Sequence, residues 1–363
     1  MYKVVQDMNI RAFGFPREYV QGPGALSELP HLMMRHGHKH ALAIVDGFLI
    51  ENFRQATVGS PIICQAFAGE CTMAEAERLA AQVGDADLII GMGGGKCIDT
   101  AKAVSILAGL PFFSLPSIAS NDAPTSRLVV LYDADHSIVG TQFMRFNPDL
   151  VLVDTDVIAG APLRFLRAGI GDALTKMFET RAVQQCDGQN FMSSRQPYLA
   201  GHLGRVCFET VIREAPRCLE ALEHGERPKG FEELVEALIL VSGLAFESGG
   251  LSVAHSMTRG LTRVPAIAAA MHGEQVAYGV LVQLVLEGDA DMLARIVAFN
   301  RVIGLPTRLA DFGIAEADRN ALVRIVAEGT MTAPYLKNFS QAVSVDLLIE
   351  AMIHLETLNA EGK

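Results

Sequence analysis

The chain of 363 residues contains no tryptophan, and none of its six cysteines falls in a C-x-x-C pair. The scattered thiols (Cys64, Cys71, Cys97, Cys186, Cys207, Cys218) argue against a disulfide framework or structural zinc cluster and for a reducing compartment. No uninterrupted apolar run reaches the length of a membrane span. The richest, Val276 to Leu286, contains Gln283 and sits between Glu274 and Glu287. The N-terminal residues, Met1 to Asp7, lack the apolar centre of a signal peptide, so a cytoplasmic protein with no membrane partner is expected. Basic blocks are also missing. With a net charge of −11, nucleic-acid binding is disfavoured.

What is present begins with Gly91-Met92-Gly93-Gly94-Gly95-Lys96, which follows the apolar run Leu88-Ile89-Ile90 and opens a helical pattern at 97–108. Glycines remove the Cβ atoms that keep a phosphate at a distance, and a helix N-terminus offers free N–H donors. Lys96 after the glycines separates this loop from the common G-x-G-x-x-G fingerprint, and no Gly-Lys-Ser/Thr makes it a Walker loop. Cys97, at the expected helix start, is a small packing residue or a thiol of lowered pKa, packing being the simpler reading.

The first 160 residues alternate β-rich runs with helical patterns. Strands are expected at 41–45, 62–67, 88–90, 112–115, 128–132 and 150–153, with helices near 48–57, 72–83 and 97–108 and a hairpin-like excursion over 127–153. After Gly160-Ala161-Pro162 helical periodicity dominates, roughly at 163–185, 194–215, 231–248, 272–286, 289–303, 316–328 and 344–358. The expected fold class is an α/β N-terminal nucleotide-binding domain (1–161) plus an all-α C-terminal domain (162–363), with ligands in a cleft between them.

Asp46 ends the first apolar strand, where an acidic residue accepts hydrogen bonds from ribose hydroxyls and repels a 2′-phosphate, favouring NAD over NADP. Asp-Gly is also an ordinary turn. The small polar loop Ser117 to Ser126 follows another strand. Its hydroxyls can donate to phosphate or nicotinamide, and Asp122 can bind a substrate hydroxyl, unless these are simply turn formers. In the helical half, Asp172 follows two glycines at an expected helix start, His255 lies on an apolar stretch, and His272 opens a helix. Two His and one Asp suit a divalent metal with room for substrate. An N-cap, a core histidine and a capping histidine are the plain alternatives. His31, His36, His38 and His40 form a rival cluster, disfavoured as a cation site by the interleaved Arg35 and Lys39.

The run Gly93-Gly94-Gly95-Lys96-x-x-Asp99-Thr100-Ala101-Lys102 resembles the cofactor loop of the iron-containing (group III, metal-dependent) alcohol dehydrogenases. Further matches are Ser120-x-Asp122-Ala123-Pro124-Thr125-Ser126, Gly169-Ile170-Gly171-Asp172-Ala173, Ala254-His255 and His272-Gly273-Glu274. They run in order through nearly the whole chain, and the pattern is closest to that family's glycerol dehydrogenase branch. The resemblance implies that fold, with zinc (Fe2+ as the alternative) on Asp172, His255 and His272. It places NAD on Asp46, Gly94, Gly95, Lys96, Asp99, Ser117, Ser120, Ser126, Leu128 and Tyr132. It assigns substrate contact to Asp122 and His255. The implied reaction is NAD-dependent oxidation of glycerol or a similar vicinal diol, the zinc lowering the pKa of the hydroxyl that is oxidised. The implied partners are a small polyol and further copies of the chain in a homo-oligomer. Asn121, Arg127 and the run Ala268-Ala269-Ala270-Met271 depart from the branch pattern, so another diol, an amino alcohol or a hydroxyketone is the alternative substrate. Glycerol-1-phosphate dehydrogenase and dehydroquinate-synthase-like chemistry rank lower. They need several cations near the metal, and only Lys176, Arg259 and Arg263 are candidates.

Overall fold

The computed structural model describes residues 9–133 and 135–361. In it the chain divides into two compact units, residues 14–162 and residues 9–13 together with 163–361.

The first unit runs β1 (Tyr19–Gly22), α1 (Leu29–Arg35), β2 (Ala41–Val45), α2 (Ile50–Ala56), β3 (Ile62–Ala66), α3 (Met73–Ala80), β4 (Leu88–Gly93), α4 (Gly95–Ala108), β5 (Phe112–Pro116), β6 (Leu128–Tyr132), β7 (Ile138–Phe143), β8 (Leu150–Asp154) and α5 (Thr155–Ala159). Six strands form a parallel sheet in the order β1-β8-β5-β4-β2-β3. Four of them, β2, β4, β5 and β8, are buried along their whole length. Such strands carry apolar residues on both faces because helices cover both. Alternation sorts those side chains: Ala41, Ala43, Val45, Leu88 and Ile90 join one core, whereas Leu42, Ile44 and Ile89 join the other. The expected excursion is an antiparallel hairpin, β6–β7.

After β2 the chain steps outward to β3, then returns across β2 to β4 and moves on to β5. The order therefore reverses between β2 and β4, whose C-terminal ends carry Asp46 and the glycine loop. In open α/β sheets this switch point is where nucleotides bind.

The second unit is helical: α6 (Leu163–Leu174), α7 (Lys176–Gln185), α8 (Tyr198–Glu223), α9 (Phe231–Glu236), α10 (Ser242–Gly249), α11 (Val253–Leu261), α12 (Pro265–Ala268), α13 (His272–Glu287), α14 (Ala290–Ile303), α15 (Arg319–Thr330) and α16 (Val345–Glu361). A π-turn over Ala237–Val241 joins α9 to α10. Cys207 Sγ contacts the Ala237 and Ala173 carbonyls at 3.4 and 3.5 Å. Helix α13 is buried almost all round and serves as the core of this unit. Residues 9–13 lie with this unit through Arg195 N–H to Ile10 O (3.2 Å), Ala12 N–H to Ser194 Oγ (3.0 Å) and Asn190 Nδ2 to Ala12 O (3.1 Å). Among the described residues no single helix is long and apolar enough to cross a membrane.

Asp172 corrects one expectation. It stands near the end of α6, not at a helix start. Gly169 and Gly171 lie inside the helix, and Gly171 serves packing. A Cβ there would stand 2.5 Å from Gly273 O.

Candidate metal and nucleotide sites

Helices α6, α11 and α13 each bring one metal candidate, and glycines beside those residues let the helix backbones touch. A Cβ on Gly273, next to His272, would lie 1.7 Å from the carbonyl oxygen of Ala168, one turn before Asp172. A Cβ on Gly279 would lie 2.3 Å from the carbonyl oxygen of Ala254, next to His255. Only glycine permits approaches of this kind. They draw the three side chains together until one ligand atom from each lies within 4.8 Å of the others.

His255 Nε2 lies 3.1 Å from Asp172 Oδ1, and the His255 and His272 rings are 5.4 Å apart between centroids. Asp172 Oδ1 also accepts from Lys176 Nζ, whose ammonium meets the Asp172 carbonyl at 3.2 Å. Asp172 Oδ2 is buried with no hydrogen-bond partner among the described residues. His255 Nδ1 faces Glu179 Oε2 at 2.5 Å. Asp172, Lys176, Glu179 and His255 are all buried, and His272 is exposed.

Burial alone would raise the Asp172 pKa, but Lys176 and His255 outweigh it and hold the carboxyl well below its usual range. Burial would lower the pKa of His255, yet the Glu179 charge and the ring's hydrogen bonds to both carboxylates lift it to about 9. Partial loss of hydration, together with the positive charge of His255 and Lys176, pushes His272 down and keeps its ring neutral. An orphaned carboxylate oxygen among two imidazoles is a donor set that fits a borderline divalent cation such as Zn2+ or Fe2+.

The glycine loop occupies the switch point of the first unit. Asp46 Oδ2 accepts the Gly94 N–H at 2.9 Å, and Asp46 N–H donates to Met92 O at 3.0 Å. A Cβ on Gly93 would sit 2.3 Å from Asp46 Oδ2, and one on Gly95 would sit 2.6 Å from Asn121 Nδ2. Burial raises the Asp46 pKa against the Gly94 hydrogen bond. Ser117, Ser120, Asp122 and Ser126 are buried in the loop after β5. Ser117 N–H reaches Gly93 O at 3.0 Å, while Ser117 Oγ has no partner among the described residues.

Other candidates already have partners. Lys96 Nζ pairs with Glu70 Oε2 at 2.6 Å and lies 4.6 Å above the centre of the Tyr132 ring. Asp99 is buried, its two oxygens taken by Lys102 Nζ and Val130 N–H, both at 3.0 Å, while Lys102 also reaches Leu128 O at 2.8 Å. In this structure Asp99 ties α4 to the hairpin. Cys97 is buried, and burial drives its thiol pKa upward, so it packs. His36, His38 and His40 do not share a ligand site, since they pair with Glu18, Asp87 and Asp85 respectively.

Glu179 was not among the residues expected from the sequence. A signal exists, because Asp172, Lys176 and Glu179 fall at i, i+4 and i+7, the spacing of one helical face.

Residues 16–155 match the family model described as iron-containing alcohol dehydrogenase. Over 337 residues the chain is 37% identical to the glycerol dehydrogenase of Thermotoga maritima, which covers 91% of this chain and 92% of that protein. It is 40% identical to the glycolaldehyde reductase of Halobacterium salinarum, covering 87% and 88% of the two chains. Among solved structures, a probable glycerol dehydrogenase from Sinorhizobium meliloti 1021 matches with a TM-score of 0.91 at 34% identity, covering 98% of this chain and all of that one.

Proposed function

The chain belongs to the iron-containing alcohol dehydrogenase family and is an NAD-dependent alcohol dehydrogenase, and within that class we propose that it oxidises glycerol or a similar small vicinal diol to the hydroxyketone, with zinc as its metal. The observation that carries the metal part is the unpartnered Asp172 Oδ2 beside His255 and His272.

Asp172, His255 and His272 would hold the divalent ion. A bound zinc ion supplies Lewis acidity, which lowers the pKa of a hydroxyl so that its proton leaves near neutral pH. The protein's own groups do the rest. The Asp172 charge is balanced by Lys176 and leaves one oxygen for the ion. His272 is neutral at physiological pH and therefore able to ligate. Asp122 accepts a hydrogen bond from a substrate hydroxyl and so favours a diol over a simple alcohol. In the first unit, Gly94 and Gly95 at the start of α4 take the pyrophosphate. Asp46 takes the ribose and disfavours a 2′-phosphate, and Ser117 offers a hydroxyl to the cofactor.

The identity to a glycolaldehyde reductase favours a second reading, in which a hydroxyaldehyde is reduced. One assay separates them. NAD reduction is followed with glycerol, propane-1,2-diol and a primary alcohol, and NADH oxidation with glycolaldehyde, before chelation, after it and after zinc return. Diol oxidation that chelation removes and zinc restores is expected. A zinc-loaded protein inactive on every diol would overturn the proposal.

A further inference from the structure

We infer that Glu179, on a helix that carries no metal ligand, is the positioning residue of the metal centre. It fixes both the place of His255 and the nitrogen that His255 offers. The inference rests on the metal-binding reading above.

Glu179 is fully buried at the first turn of α7. Its Oε1 accepts the backbone N–H groups of Ser252 (2.9 Å) and His255 (3.0 Å), which belong to the N-cap and first turn of α11. No side chain of α11 itself caps that end, so a carboxylate from another helix supplies the cap. Its Oε2 receives His255 Nδ1 at 2.5 Å and Thr175 Oγ1 at 3.3 Å. One carboxylate therefore grips the ring and the backbone beneath it.

An ionised carboxylate only accepts hydrogen bonds, so the Nδ1 facing it carries the hydrogen. Nε2 is then the nitrogen left for the cation, and it is Nε2 that faces Asp172. One turn before Glu179, Lys176 holds Asp172 Oδ1 and leaves Oδ2 without a partner. Carboxylates placed behind ligating histidines tune metal affinity in this way.

Glu179→Gln separates this role from simple packing, because it keeps the size and changes the donor pattern. The α11 backbone and Nδ1 meet different oxygens of Glu179, and the amide turns one of those two positions into an NH2 donor, so it cannot accept from both. Either the cap is lost or His255 moves its hydrogen to Nε2, and both outcomes weaken ligation. Wild type, Glu179→Gln and His272→Ala are stripped by chelation and titrated with Zn2+ against a chromophoric chelator. Co2+ is used in parallel for its visible spectrum, with NAD affinity and a thermal melt as controls.

Zinc binding by Glu179→Gln is expected to be about 10- to 100-fold weaker than wild type, with an altered Co2+ spectrum, an unchanged NAD affinity and a cooperative melt. Wild-type zinc affinity in that variant, with an unaltered spectrum, overturns the inference. If the wild type takes up no zinc, or His272→Ala binds it normally, the functional reading falls and this inference with it. Should the variant fail to fold, 15N shifts of His255 in the zinc-loaded wild type decide the matter. Hydrogen on Nδ1 supports the assignment, and hydrogen on Nε2 overturns it.

Discussion

The Cβ that Gly273 lacks would stand 1.7 Å from the carbonyl oxygen of Ala168. Together with the approach of Gly171 to Gly273 O, this contact sets the spacing of α6 and α13, and hence of Asp172 and His272. Gly273→Ala must push the two helices apart, at a cost of about 3 kcal/mol or more. A lowered melting temperature is expected, with zinc affinity at least about tenfold weaker because the ligand atoms separate. A variant with wild-type zinc affinity would show that the ligands are placed by something else.

Lys176→Met leaves the buried Asp172 carboxylate with His255 as its one cationic neighbour. Breaking a buried pair by removing one partner costs about 3–5 kcal/mol, so the metal-free variant should melt well below wild type. Zinc restores positive charge at Asp172, so the stabilisation on adding zinc should be larger in the variant than in wild type. Melting curves with and without zinc test this. Equal zinc-induced shifts would contradict it.

The metal-free protein should lose stability in mild alkali. The folded-state pKa of His255 is about 9, above the ordinary histidine value of 6.5. Its contribution is therefore fully present below 6.5 and lost as pH rises through 9, amounting to about 3 kcal/mol at the pK-to-energy conversion. Zinc takes the place of the Nε2 proton, so the loaded protein should hold its stability across that window, and zinc uptake near pH 7.5 should release about one proton. Urea unfolding at several pH values, and calorimetry in two buffers, measure the two effects. A metal-free protein equally stable from pH 6 to 10 would rule the assignment out.

Asp122→Ala should lower kcat/KM for a diol by about tenfold or more, the worth of one hydrogen bond to a charged group. NAD affinity should stay within about twofold. Equal loss of both would mean that Asp122 serves the cofactor loop instead.

The sheet was legible wherever strands are buried on both faces, since Ala41–Val45 and 150–153 read as unbroken apolar runs and 112–116 is interrupted only by Ser114. Strand β1 was missed because Tyr19–Gly22 is a short, half-buried edge with Gln21 and Gly22 in it. Strand β7 was hidden by Gly140 and by its largely exposed or half-buried residues. Asp172, His255 and His272 stood out as residue types, but their meeting depends on glycine contacts between helices distant in sequence, which no local pattern encodes. Lys176 was visible only as a stray cation, and Glu179 only through its i+7 spacing from Asp172. The role of Glu179 follows from what faces it across the fold, Ser252 and His255, not from its neighbours in the chain.

Residues 9–13 belong with 163–361, whereas 14–162 form the other unit. In order of synthesis the α/β unit is thus an insertion within the helical one. The strap at Ile10 and Ala12 emerges early and must wait for Asn190, Ser194 and Arg195 before its hydrogen bonds can close. The helical unit therefore cannot be excised by a single cut at residue 162, since a fragment that starts there leaves the backbone and side-chain partners at 190–195 without the segment they hold.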